Sequence, residues 1–260
     1  MPTPIVVYGS ATCEDTAIVR SRLAAVGVPF TYVDIDGEPA AAARVEAWNG
    51  GHRVTPTVVL GIDEQVVAEP TLERLGELVA AGGYAVDAID VTQYHGERIG
   101  RAIPFATLPT ADGGTFSVAN LRGKRQAALF LGHDAGCLAC FGYARQLAAA
   151  HADLGEADAV ALIVVGSDPA AVAGWRHGVD PRSTILADAD GAWKRAVTAS
   201  IEAAATDAVV IVLDRYGAPR AGASVAEAGG LPDPSAIVEW LRFIALDCPE
   251  CSGELPWPGI

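Results

Sequence analysis

The sequence predicts an α/β fold built as two tandem domains, each a mixed sheet flanked by helices. Three observations lead there. Short apolar, β-branched runs alternate with stretches of helical spacing, which is the pattern of strands joined by helices across a sheet. The alternation breaks once, over "AVDAIDVTQYHGERIGRA", and then starts again. The chain has 260 residues, long for one domain and comfortable for two.

In the first series, "PIVVY" is a buried-strand pattern ending in Gly9-Ser10. "EDTAIVRSRLAAVG" spaces Ala17, Ile18, Leu23 and Val26 roughly along one helical face, with Gly27 as the stop. "VPFTYVDID" is the second strand, "EPAAAARVEAWNGG" the second helix, and "TPTVVL" the third strand, onto which "EQVVAE" folds as a hairpin. "PTLERLGELVAAGG" opens on Pro70 and ends on glycine, as a helix does. The order β-α-β-α-β-β-α is complete by residue 84.

The second series opens with a polar hairpin and turn, "ATLPTADGGTFSVANLRGK", followed by the continuous apolar strand "QAALFLG". "CLACFGYARQLAAAHADLG" reads as one helix, "AVALIVVGS" as a strand, and "DPAAVAGWRHG" as a helix with Asp168-Pro169 at its start. "STILADADG" and "DAVVIVLDRYGAP" supply further strands, and "DPSAIVEWLRFIAL" closes the series as a helix. The expected boundaries are a first domain over residues 1–84, a linker over 85–98, a second domain over 99–246 and a tail over 247–260.

Composition narrows the function. Half the residues are apolar, enough to bury two cores. A formal charge of −14 argues against nucleic acid or an anionic membrane as partner, since either wants a basic footprint. "MPTPIVVYGS" lacks the basic and apolar regions of a signal peptide, and no apolar stretch approaches the roughly 20 residues that span a bilayer. The expectation is a cytoplasmic protein, where cysteines are more often catalytic or metal-binding than structural.

The five cysteines fall into three places: Cys13 alone, Cys137 with Cys140, and Cys248 with Cys251. Cys13 follows a strand and a glycine turn, at the first turn of a helix. Unpaired backbone N–H groups and the helix dipole favour a thiolate there, and the thiolate is the form that attacks disulfides. Glu14 and Asp15 oppose that ionisation, and a buried structural cysteine is the competing reading. Cys137 and Cys140 form a C-x-x-C at a second helix start. A redox pair, an inert pair and half of a metal site are all open, and His133 stands close enough in sequence to add positive charge or to be merely structural. Cys248 and Cys251, in "LDCPECSGELPWPGI", read as a second dithiol, as zinc ligands, or as an inert tail. Two C-x-x-C pairs suit a Cys₄ site, but more than 100 residues separate them here, where about 15–20 is usual. Trp175, Trp193 and Trp240 are expected in cores, Trp257 in the tail, and the acidic clusters are expected in solvated turns.

The first half resembles the glutaredoxin family through "VVYGSATCEDT", "VPFTYVDID" and "RVTPTVVL". The resemblance implies that Pro56 is a cis-proline facing Cys13, and that the Thr55 backbone binds a thiol substrate as an added strand. Glutathione or mycothiol is the implied co-substrate, with no bound cofactor. The motif departs in two ways. Cys13-Glu14-Asp15-Thr16 has no second cysteine, so a small thiol or another cysteine must resolve it, and Ala11-Thr12 stand where a basic residue often precedes the cysteine.

The second half resembles the peroxiredoxin-like, or alkyl hydroperoxide reductase/thiol-specific antioxidant, family from "IPFATLPTADGGTFSVANLRGKRQAALFLG" through "VVIVLDRYGAPRAG". Both families have the thioredoxin fold, so two thioredoxin-like domains are implied. Cys137 falls where the family carries its peroxide-reducing thiol. The family's Thr or Ser three positions earlier is Asp134 here, its proline falls near Phe130, and its arginine falls near Asp207-Ala208, with Arg176 or Arg195 as spatial substitutes.

The expected function is thiol–disulfide exchange, with peroxide reduction as a further activity. Cys13 is a monothiol nucleophile, Cys137 attacks, Cys140 resolves, and Cys248/Cys251 relay electrons. A small thiol or a protein disulfide is the expected substrate; peroxides and a second copy of the chain are further candidate partners. The competing function is a non-enzymatic Zn or Cu(I) scaffold, or a redox sensor, built on the two C-x-x-C pairs.

Overall fold

The computed structural model describes residues 2–61, 65–84, 92–93 and 101–245. The chain divides into two compact units, Met1–Asp90 and Val91–Ile260.

The first unit contains β1 (Ile5–Gly9), α1 (Glu14–Ala25), β2 (Thr31–Asp34), α2 (Pro39–Trp48), β3 (Thr57–Leu60), β4 (Gln65–Ala68) and α3 (Leu72–Ala81). The strands form one sheet in the order β2-β1-β3-β4, with β1 parallel to β2 and antiparallel to β3. Period-two alternation along β1 sorts the two cores. Ile5 and Val7 pack with Val19 and Leu23 of α1 and with Leu75, Leu78 and Val79 of α3. Tyr8 packs instead with Ile35, Val59 and Val45 of α2. Each such aliphatic side chain contributes about 1.5–3 kcal/mol when fully buried. Helix α1 ends because Gly27 adopts φ +65°, so that Val28 N–H reaches back to Leu23 O at 2.9 Å. Pro39 opens α2, and the Thr71 hydroxyl caps α3 by accepting from Arg74 N–H.

The second unit contains β5 (Thr92–Gln93), the hairpin β6 (Thr107–Pro109) and β7 (Thr115–Ser117), β8 (Gln126–Leu131), α4 (Leu138–Ala149), α5 (His151–Glu156), β9 (Ala159–Val165), α6 (Pro169–Ala173), β10 (Thr184–Ala187), α7 (Ala192–Ser200), β11 (Ala208–Leu213), β12 (Pro219–Val225) and α8 (Pro234–Ala245). The main sheet runs β10-β9-β8-β11-β12-β5. Strands β8, β9 and β10 are parallel, while β11, β12 and β5 add antiparallel. Leu129 and Leu131 of β8 face a core with Trp193 and Val197 of α7 and Leu108 of the hairpin. Phe130, one position out of phase, meets Tyr143 of α4 with ring centroids 5.0 Å apart. Helices α4 and α8 therefore cover the face opposite α7.

Several elements differ from the sequence expectation. The single helix read over residues 137–155 changes direction at Ala150, giving α4 and α5, and Leu154 becomes buried. The α6 helix is five residues long and tightens into a 3₁₀ turn over Gly174–His177. Helix α7 and strand β12 are additional. Strand β12, "PRAGASV", has poor intrinsic strand chemistry, yet its small residues pair along β11 and Ala221 is fully buried. Within the stretch read as a linker, Thr92 and Gln93 pair with Gly222 and Ala221. Trp175, Trp193 and Trp240 are buried as expected; Trp257 lies outside the described residues. No helix among the described residues is long and apolar enough to cross a membrane.

Candidate active site

The first site is assembled at the carboxyl end of β1. Cys13 is the N-cap of α1, with φ −88° and ψ 120°, and its N–H donates to Ser10 O at 3.2 Å. The facing loop is pinned from α2: Asn49 Nδ2 donates to Thr57 Oγ1 at 3.2 Å, and that hydroxyl donates to Val54 O at 2.9 Å. The loop contains the cis peptide Thr55-Pro56. It brings Thr55 O to 3.6 Å from Cys13 Sγ, across 42 positions of sequence. Thr16, one turn into α1, is buried, and its side chain acts to lower the Cys13 pKa. Burial acts to raise the Cys13 pKa. The side chains of Thr16 and Thr55 and the backbone N–H groups of Thr16 and Asp15 outweigh it, so the thiol lies below its ordinary value. The carboxylates of Glu14 and Asp15, expected to oppose ionisation, do not decide the outcome.

The second site lies at the carboxyl end of β8, beside the parallel strand β9, where open α/β sheets present their chemistry. Cys137 is the N-cap of α4, and its sulfur accepts the N–H of Cys140 at 3.4 Å. Cys137 is half-buried and Cys140 fully buried, so one sulfur faces outward with the other behind it. Leu138, between them, is 84% exposed. The Cys140 sulfur accepts the N–H of His133 at 3.3 Å. His133 Nδ1 stands 3.5 Å from Cys140 Sγ and 3.7 Å from Cys137 Sγ, so the histidine faces both thiols. Burial pushes the Cys140 thiol up to about 12; the His133 N–H and the charge of Lys194 act downward, and Cys137 acts upward.

The connecting segment 132–137 is tied down at each step. Gly132 N–H donates to Val164 O at 2.8 Å and Gly166 N–H to His133 O at 2.6 Å. Ala135 N–H donates to Ser167 Oγ at 2.9 Å, and Trp175 Nε1–H to Ala135 O at 3.1 Å. Asp134 folds onto its own loop: Oδ1 accepts Gly136 N–H at 2.8 Å and its carbonyl accepts Cys137 N–H at 3.2 Å. A carboxylate, not a hydroxyl, therefore occupies the position three before Cys137.

The spatial substitutes for the missing arginine are engaged elsewhere. Arg195 Nη1 donates to Asp190 O at 2.7 Å, and the charge of Arg176 acts on Asp112. Phe130 lies in the core, and Asp207 Oδ2 accepts the Ser224 hydroxyl at 2.7 Å. The cation at this site is one the sequence reading passed over. Lys194 of α7 is buried, and its Nζ donates to Gly132 O at 3.1 Å. Its only sequence signal is a lysine beside Arg195 in "GAWKRAV". Among the described residues, His133, Cys137 and Cys140 bring one imidazole nitrogen and two thiol sulfurs within 4.8 Å of one another. Cys248 and Cys251 lie outside the described residues.

Comparison with known proteins follows the same division. The glutaredoxin family model matches residues 5–67, and the AhpC/TSA family model matches residues 99–218. No curated protein matches the chain. Among solved structures, the chain is similar to peroxidoxin BcpB from Mycobacterium tuberculosis, at 14% identity over 57% of this chain and 97% of that one, with TM-score 0.47. It is similar to Xanthomonas campestris peroxiredoxin Q, at 14% identity over 54% and 91%, with TM-score 0.46. It is also similar to a secreted Mycobacterium tuberculosis disulfide oxidoreductase homologous to E. coli DsbE, at 22% identity over 44% and 79%, with TM-score 0.35. Each family match falls inside one compact unit and contains that unit's described cysteine site, so the chain joins a glutaredoxin-like domain over residues 5–67 to a peroxiredoxin-like AhpC/TSA domain over residues 99–218.

Proposed function

We propose that this protein is a thiol–disulfide oxidoreductase whose working dithiol is Cys137 with Cys140. The observation that carries this reading is the ordered pair of sulfurs, the outer one capping α4 and the inner one buried behind it. The Cys137 thiolate attacks a disulfide R–S–S–R′, forming a Cys137–S–S–R mixed disulfide and releasing R′–S⁻, which takes up a proton. Cys140 then attacks the Cys137 sulfur. The Cys137–Cys140 bond forms, the bond to R–S breaks, and the proton of Cys140 ends on the leaving thiol. The enzyme is oxidised by two electrons and must be reduced again by a thiol donor. His133, beside both sulfurs, is placed to follow the charge as it passes between them.

A disulfide substrate is favoured over a peroxide. The position that a peroxidase of this family fills with a hydroxyl carries the Asp134 carboxylate, turned onto Gly136 N–H. An anion there repels the developing negative charge on a peroxide oxygen instead of donating to it.

Cys13 is a second, monothiol nucleophile. It forms mixed disulfides with a low-molecular-weight thiol such as glutathione or mycothiol, with Thr55 and Pro56 forming the wall of its groove. Cys248 and Cys251 enter this scheme as a relay on their sequence alone.

The metal-scaffold alternative drew on both C-x-x-C pairs. His133 supplies a third donor beside Cys137 and Cys140, one short of a closed four-ligand zinc site. The unequal exposure of the two sulfurs suits successive attack and closure, and we favour the redox reading on that ground. The deciding experiment is elemental analysis with thiol titration of the full chain, before and after one equivalent of oxidised glutathione or hydrogen peroxide. Absence of metal, with Cys137 and Cys140 thiols lost together as a mapped disulfide, is the expected result. One metal per chain, with both thiols protected until a chelator is added, would overturn it.

A further inference from the structure

Two hydrogen bonds meet on one peptide. The Gly132 carbonyl accepts Lys194 Nζ–H at 3.1 Å, and the N–H of that same peptide, belonging to His133, donates to Cys140 Sγ at 3.3 Å. The ammonium and the inner sulfur thus sit at opposite ends of a single planar, polarisable group. Lys194 comes from α7, 62 positions beyond Gly132 in sequence. The end of β8 is pressed close to Cys140, since a Cβ on Gly132 would lie 3.5 Å from Cys140 Cβ and 3.3 Å from the Phe130 ring.

We propose that Lys194 is a positioning residue for disulfide closure, acting on Cys140 through the Gly132–His133 peptide. An ammonium on a carbonyl oxygen draws electron density across the amide and makes its N–H a stronger donor, the cooperative effect of hydrogen-bond chains in a low-dielectric interior. That donor points at the sulfur that must give up its proton and become a thiolate before it attacks the Cys137 mixed disulfide, and it is in place before the reaction.

The burial of Lys194 supports the assignment. A lysine is seldom this buried, and among the described residues its ammonium bonds a single carbonyl, which compensates desolvation poorly. Burial draws its pKa down, while Cys140, Asp207 and Asp188 act the other way. Asp188 is committed to capping α7, accepting Trp193 N–H at 3.3 Å and Lys194 N–H at 2.8 Å, and Asp207 accepts Ser224. The Cys140 sulfur is the one of these three whose charge changes during the reaction.

This inference rests on the dithiol reading, and its test separates the two. The full chain is mixed with oxidised glutathione, quenched with acid at successive times, and mapped by mass spectrometry for the Cys137 mixed disulfide and the Cys137–Cys140 disulfide. In Lys194→Met, attack by Cys137 should stay within about twofold of the parent while closure slows about tenfold. That is less than the 10²–10³ of a directly deleted donor, because the effect is relayed. Lys194→Arg should recover most of the closure rate. In the reduced protein, the His133 amide proton resonance should move upfield in Lys194→Met as its hydrogen bond weakens.

Equal slowing of both steps would reveal a general structural role and overturn the proposal. So would unchanged closure together with an unmoved His133 resonance. If the parent protein forms neither a mixed disulfide at Cys137 nor the Cys137–Cys140 disulfide, the oxidoreductase reading fails, and the His133 resonance alone then decides whether Lys194 is coupled to this peptide.

Discussion

Gly9 and Thr16 fit together so closely that a Cβ on Gly9 would overlap the Thr16 side chain. The end of β1 and the first turn of α1 are thereby locked, and Cys13 is held between them. Gly9→Ala should destabilise the first domain by about 1–3 kcal/mol, the usual cost of overpacking. It should also slow Cys13 modification by displacing Thr16. Thermal unfolding of the full chain, with mass-resolved alkylation of Cys13, checks both.

Thr16 also predicts a pH dependence. A thiol whose folded pKa is lowered loses its proton over a window in which the unfolded chain still holds it. Folding is therefore favoured above the unfolded value of about 8.5, and that gain disappears as pH falls through the folded value. Alkylation of Cys13 should show a midpoint below that of an ordinary cysteine, and Thr16→Val should move it up. An unmoved midpoint would mean that the hydroxyl does not act on the sulfur.

For the dithiol, burial predicts a strict order. Limiting iodoacetamide on the reduced protein at pH 8 should label Cys137 and leave Cys140 untouched, since Cys140 is inaccessible and its thiol is pushed up to about 12. The sign of the linkage is opposite to that of Cys13. A raised folded pKa contributes stability below the unfolded value of about 8.5, and that contribution is lost as pH rises toward about 12. Reduced protein should lose stability across this alkaline window, and Cys140→Ala should lose less.

Trp175 holds the approach to Cys137. Its indole N–H donates to Ala135 O, and its ring meets Phe141 at 5.3 Å between centroids. Phe141 is in turn backed by Gly178, where a Cβ would overlap the ring. Trp175→Phe keeps an aromatic ring and removes the hydrogen bond, at about 0.5–1.5 kcal/mol. Faster alkylation of Cys137 should accompany the loss as segment 132–137 loosens.

Arg242 joins α8 to α5. Its guanidinium bonds Glu239 Oε1 at 2.6 Å, Glu156 Oε2 at 3.2 Å and Asp153 Oδ1 at 3.3 Å. Glu239 is buried while the other two carboxylates are exposed, so most of the effect comes from Glu239. Arg242→Met should destabilise by about 1–3 kcal/mol, and a following Glu239→Gln should return part of it in denaturant unfolding.

The strands and helices of the first domain were legible because each carries its own signal: a β-branched run such as "IVVYG", a proline at the start of α2, a glycine closing α1. Helix α7 escaped because "AWKRAV" is short and has a lysine on its buried side. Strand β12 escaped because alanine and glycine are poor strand formers, and the neighbouring strands β11 and β5 make the pairing favourable. The break between α4 and α5 reflects where Leu154 finds its core, which periodicity does not encode.

The glutaredoxin resemblance implied that Pro56 faces Cys13; the sequence by itself determined the rest of the chemistry on offer, a lone thiol at one helix start and a dithiol at another. These are local facts, readable because helix ends and turns depend on neighbouring residues. Tertiary structure alone decided which groups act on each sulfur. Thr55 reaches Cys13 across 42 positions and Lys194 reaches Gly132 across 62. His133, four residues before Cys137, touches both thiols only because β8, Gly166 and α4 turn its backbone inward. Hydrophobic periodicity tells which face of an element is buried. Its partner across the sheet is chosen by packing, which joins residues distant along the chain.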